Sequence, residues 1–107
     1  MNYHTSIEHA KKQLSSETEN KSTLLMQQGT MQVKYFVPFA IDTQKPHTQD
    51  ELYIISSGRS FFNRNGEIID CKEGDVLFVP AGMEHRFFDF SEDFSTWVVF
   101  YGPEGGE

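Results

Sequence analysis

The chain has 107 residues, 37% of them apolar and 14% aromatic, with sixteen acidic against nine basic side chains and a formal net charge of −7. That length holds one hydrophobic core and one domain. The acidity disfavours a nucleic-acid partner, since the longest basic run is the pair Lys11 and Lys12, and no apolar stretch approaches a membrane span.

Residues 5–14 read as a short helix: Thr5 and Glu8 stand at capping-box spacing, and Ile7, Ala10 and Leu14 fall on one face. The start of the chain lacks the charged-then-apolar order of a signal peptide, so a cytoplasmic protein is expected. Residues 15–22, SSETENKS, are polar and turn-prone and read as a linker. The expected division is therefore a helix and linker over 1–22 and a β-domain over 23–107.

From Leu24 onward the pattern becomes short runs rich in Val, Ile, Phe and Tyr, separated by Gly, Pro, Asn and Asp. Strands are predicted over 24–27, 32–39, 52–56, 60–63, 67–71, 76–79, 85–90 and 96–101. Between the fourth and fifth, Asn65-Gly66 is the dipeptide best suited to a tight hairpin, because both positions tolerate positive φ. Many short strands at this spacing predict an antiparallel sandwich or barrel. The single cysteine, Cys71, has no partner for a disulfide and no second thiol for zinc, and reads as a small strand residue.

The stretch KPHTQDELYIISSG, 45–58, carries the chemistry. On one straight strand His47 and Glu51 would lie roughly 13 Å apart, too far to share an ion. The chain must bend at Thr48-Gln49-Asp50, so that His47 ends one segment and Glu51 begins the next strand, both pointing inward. In GDVLFVPAGMEHRFF, Pro80-Ala81-Gly82 reverses the chain and His85 begins the returning strand, which makes His85 the third candidate. Two histidines and one carboxylate with open positions suit ferrous iron, and the same set can bind Zn, Mn, Ni or Co.

These spacings resemble those of the small cupins. His47, three residues, Glu51, six residues and Gly58 reproduce the latter part of the family's first motif, Gly-x5-His-x-His-x3–4-Glu-x6-Gly. Gly74, five residues, Pro80-Ala81-Gly82, two residues and His85 reproduce most of the second, Gly-x5-Pro-x-Gly-x2-His-x3-Asn. The resemblance implies an all-β double-stranded β-helix, the cupin jelly-roll barrel, holding one divalent metal ion on His47, Glu51 and His85. Two positions depart from the pattern: Lys45 stands where the family has its first histidine, and Asp89 replaces the terminal asparagine. A protonated lysine is a poor ligand, so Gln49 becomes a candidate weak fourth ligand and Asp89 a candidate carboxylate behind His85.

Tyr53 shares its parity with Glu51, and Phe87 with His85, so both are expected to line a small, mostly apolar pocket. Phe88 and Phe90 have the opposite parity and need cover, which a second copy in a homodimer would supply. The expected function is a metal-dependent enzyme acting on a small molecule, dioxygenase- or isomerase-like, without a named reaction. The alternative is a non-catalytic module that binds or senses a small ligand.

Overall fold

A serine at the end of an extended segment starts the only helix among the described residues. The computed structural model describes residues 3–17, 21–39, 42 and 44–107. Helix α1 (Ile7–Ser16) is capped by Ser6, whose side chain accepts the His9 amide at 3.1 Å. The cap is thus Ser6 and not Thr5, which displaces Glu8 from the capping-box position. The helix also runs into the expected linker, because the Ser15 and Ser16 hydroxyls donate back to the carbonyls of Lys12 and Gln13 at 2.8 and 2.7 Å. Residues 18–20 of that linker lie outside the described residues.

Eight strands follow: β1 (Ser22–Gln28), β2 (Met31–Phe36), β3 (Asp50–Ser57), β4 (Arg59–Arg64), β5 (Glu67–Lys72), β6 (Val76–Val79), β7 (His85–Phe88) and β8 (Ser95–Tyr101). Every predicted strand is present. Two stop earlier than expected: Pro38 follows β2, and Asp89, at φ 51°, breaks β7. Asn65 and Gly66 have φ of 50° and 96° and join Arg64 to its partner Glu67, so the two-residue hairpin forms as predicted.

The strands form a five-stranded antiparallel sheet, β1-β2-β8-β3-β6, and a three-stranded one, β5-β4-β7. The inner faces enclose the main core, in which Tyr53, Phe62, Phe87 and Phe94 are almost wholly buried. Phe87 contacts Phe62 and Phe94 at ring separations of 4.6 and 4.9 Å. Each such ring contributes about 2 kcal/mol through burial. Phe90 joins this core against Phe94, contrary to its parity in an unbroken strand, because the left-handed residue Asp89 turns the chain.

A second, smaller core lies on the outer face of the large sheet. There Ile7, Ala10 and Leu14 of α1 pack on Leu25, Tyr35, Val37 and Trp97. Gln13 pins the helix by donating to the Thr23 hydroxyl and the Leu24 carbonyl at 2.6 and 2.8 Å. The helix therefore covers part of its own barrel.

Candidate metal centre

Glu51 is the second residue of β3, paired with Val79 on β6 and Phe100 on β8, so its side chain is fixed in the interior at one end of the barrel. Its carboxylate is 1% exposed. His85, the first residue of β7, enters from the opposite sheet, and His47 reaches in from the segment that precedes β3. Two hydrogen bonds bolt that segment and the start of β3 to the turn before β7: Gly82 N donates to the His47 carbonyl at 2.8 Å, and Ala81 N to Asp50 Oδ1 at 2.9 Å. The Pro-x-Gly turn thus sets the distance between the first histidine and the second.

His85 Nε2 lies 2.7 Å from Glu51 Oε1, and His47 Nε2 lies 3.9 Å from Glu51 Oε2. Candidate ligand atoms of the three residues all fall within 4.8 Å of one another. Apart from these mutual contacts, both Nε2 atoms and both carboxylate oxygens are buried with no hydrogen-bond partner. Buried polar atoms left unmatched cost free energy, and four of them converging on one point form a donor set for a cation.

The tautomer of His85 follows from its other contact. Nδ1 lies 2.8 Å from the Met83 carbonyl, which can only accept, so Nδ1 carries the hydrogen and Nε2 offers its lone pair unless the ring is cationic. Burial opposes that charge, but the Glu51 carboxylate and the Met83 carbonyl outweigh it, and the net shift of the His85 pKa is upward. For His47 burial prevails over the attraction of Glu51, with His85 adding repulsion, and its pKa is lowered. The two imidazoles are therefore biased in opposite directions. An ion on these atoms would displace the proton from His85.

Asp89 stands apart from the cluster, Gln49 is held by other partners, and Tyr53 and Phe87 pack beneath it. Asp89 is exposed beyond the end of β7 and outside the cluster. The Gln49 amide nitrogen is committed to the carbonyls of Thr30 and Gly102 at 3.0 and 2.9 Å, tying the β1–β2 turn to the end of β8. Tyr53 and Phe87 pack edge to face, 5.0 Å apart, and form a solid floor under the cluster, with the Tyr53 ring 5.9 Å from His85. Burial first, then the nearby Glu51 charge, pushes the Tyr53 hydroxyl well above its usual range, and it donates to Gln44 Oε1 at 2.7 Å.

Tyr53 and Phe87 are buried against one another and do not line the cavity at the barrel mouth. The space beside His85 is an open cavity of about 460 Å³ at the barrel mouth, with Gln44, Lys45, Asn63, Asn65 and Arg86 among its lining residues. Lys45, at the position of the missing histidine, lines this cavity and is exposed.

Sequence reasoning missed Asp42 and underrated Asp50. Asp42 is 2% exposed and accepts from Phe87 N at 2.7 Å and from Gln44 N and Nε2 at 3.0 and 2.8 Å. The only signal was an Asp two residues before Gln44, an ordinary local turn pattern. Asp50, read as a turn residue, is 7% exposed and also accepts the Glu107 amide at 3.2 Å, drawing the end of the chain to the site.

A two-sheet antiparallel β-barrel with two histidines and a glutamate gathered at one end offers a donor set that could hold a metal ion. The chain belongs to the cupin domain family, whose model matches residues 36–100. It is 46% identical over 63 residues to an uncharacterized protein of Streptomyces coelicolor, covering 59% of this chain and 60% of that protein, so the match spans less than two thirds of the relative's length. A cupin superfamily protein from Desulfitobacterium hafniense superposes with a TM-score of 0.62 at 26% identity, over 77% of this chain and 76% of the other. The DMSP lyase DddQ of Ruegeria pomeroyi superposes with a TM-score of 0.65 at 21% identity, over 76% of this chain and 46% of that one. This last likeness concerns the fold alone. Among the described residues, no helix is long and apolar enough to cross a membrane.

Proposed function

We propose that the protein is a metal-dependent enzyme acting on a small molecule, with His47, Glu51 and His85 holding one divalent ion. The observation that carries this reading is the set of buried, unmatched Nε2 and carboxylate atoms converging from β3, β7 and the segment before β3. When bound, such an ion supplies Lewis acidity or, as ferrous iron, reactivity toward dioxygen. The protein's own contributions are structural and electrostatic. Met83 holds the His85 tautomer, the aromatic floor keeps water from beneath the site, and the open cavity admits a ligand from the mouth.

A binding module is the competing reading, favoured by the small size of the barrel and by Lys45 at a ligand position. Incubation of iron- or zinc-reconstituted protein with candidate small molecules, followed by mass spectrometry, separates the two. Consumption of a compound that requires the metal and is lost in Glu51→Ala supports the enzyme. Retention of every bound compound unchanged, aerobically and anaerobically, supports the module.

A homodimer belongs to the same proposal. On the outer face of the large sheet Leu52 pairs with Phe78 and Ile54 with Val76, and Ile54, Val76 and Phe78 are 38, 60 and 43% exposed. A self-complementary pairing would cover this patch twice with one set of contacts. Sedimentation at a monomer's mass would contradict it.

A further inference from the structure

The chain as a whole is acidic, yet the cavity beside His85 is not. Among the described residues, Lys45 and Arg86 line it against a single carboxylate, that of Glu84. Among the described residues neither Lys45 nor Arg86 forms an ion pair, whereas Arg59, Arg64 and Lys72 each pair with an acid. Arg86 and Asn63 are direct partners across β7 and β4, so their side chains emerge side by side on one face of the three-stranded sheet. The Asn63 carbonyl oxygen is already occupied by the Gly66 amide at 2.8 Å, which leaves its NH2 group as a donor. Gln44, on the same wall, has both ends of its amide engaged, by Asp42 and Tyr53, and serves as a fixed boundary. The remaining polar capacity of the cavity is therefore two cations and the Asn63 NH2 group against the one carboxylate of Glu84, a net positive balance.

We infer that this cavity recognises a small carboxylate, with Lys45 and Arg86 as the anion-binding groups and Asn63 as an auxiliary donor. The inference rests on the proposed metal centre only in that the rest of the ligand would face His85. A planar carboxylate matches the guanidinium fork of Arg86, and a lysine beside it adds a point charge without demanding fixed geometry. Lys45 thus has a role at a position where it cannot serve as a metal ligand. Specificity for an acid would come from the mouth of the barrel, and reactivity from the cluster beneath it.

The test is calorimetric titration of succinate, its uncharged analogue succinamide and inorganic phosphate into metal-free and zinc-loaded protein at low salt. Wild type is compared with the variant Lys45→Gln, Arg86→Gln. Both side chains are exposed, so the variant is expected to fold as wild type does. Succinate should bind both forms of wild type, weaken as salt rises, and lose roughly tenfold in affinity for each cation removed. Succinamide should not bind metal-free protein. Succinate binding that is absent in wild type or unchanged in the variant overturns the inference, as does phosphate binding as tight as that of succinate. Failure of zinc to bind while succinate still depends on the two cations would instead refute the metal proposal and leave this one standing.

Discussion

Asp42 accepts the backbone amide of Phe87 at 2.7 Å, two residues beyond the metal-candidate His85. Among the described residues, strand β7 is the edge of the small sheet and pairs only with β4, so an amide on its free side would otherwise be buried without a partner. A carboxylate from a loop far away in sequence completes the edge and fixes the strand that presents His85. Replacing it with alanine should cost about 2–4 kcal/mol, since three donors lose one acceptor. Asp42→Asn should retain part of this stability. Urea denaturation of the two variants measures the difference, and equal loss in both would contradict the account.

The imidazoles should titrate on opposite sides of the ordinary histidine value of 6.5 in metal-free protein, His85 above it and His47 below. The consequences for stability have opposite signs. The raised pKa of His85 gives a contribution fully present below 6.5 and lost as pH rises through the folded value. The lowered pKa of His47 subtracts stability as pH falls below 6.5. Metal-free His47→Gln should therefore lose stability as pH climbs above 6.5, while metal affinity in wild type should improve over the same interval. NMR titration of the ring protons, with and without zinc, is the direct check. Both transitions should vanish from this range when zinc is bound.

Cys71 should resist thiol reagents in the folded protein. Its side chain is fully buried and its Sγ lies 3.3 Å from the Ser60 carbonyl. Burial pushes the thiol up to about 11, with the charge of Asp75 adding to it. Reaction with a disulfide reagent at pH 8 should proceed only at the rate of unfolding and become rapid in denaturant. Fast reaction under native conditions would show that the β4–β5 layer opens locally.

Gly58 should be intolerant of substitution. It sits between β3 and β4 at φ 75°, and a Cβ there would lie 2.8 Å from the Phe94 Cα and 2.5 Å from the Ser91 Oγ. Gly58→Ala should destabilise the fold by at least about 2 kcal/mol, seen as a lower urea midpoint. Gly74→Ala meets the same strain at φ 91° but no close atom, and should cost less.

The positions of the strands were legible because alternation and turn residues mark each short run, and the Asn65-Gly66 hairpin followed from local backbone preference alone. The convergence of His47, Glu51 and His85 was legible for a different reason: two turns of fixed length place strand starts at the same end of the barrel. What escaped was tertiary. Asp42 acts on a strand forty-five residues away in sequence, Asp50 organises two loops, and the inward turn of Phe90 depends on one left-handed residue that breaks a parity argument. Parity says which residues face inward, but not whether they fill the space, as the packed rings of Tyr53 and Phe87 do.

Elemental analysis of untagged protein purified without chelator, beside the variant His47→Ala, His85→Ala, tests whether His47, Glu51 and His85 hold a metal. About one equivalent of a divalent metal is expected in wild type and its loss in the variant. Absence of metal from wild type, persisting after reconstitution with ferrous iron, zinc and manganese, would contradict it.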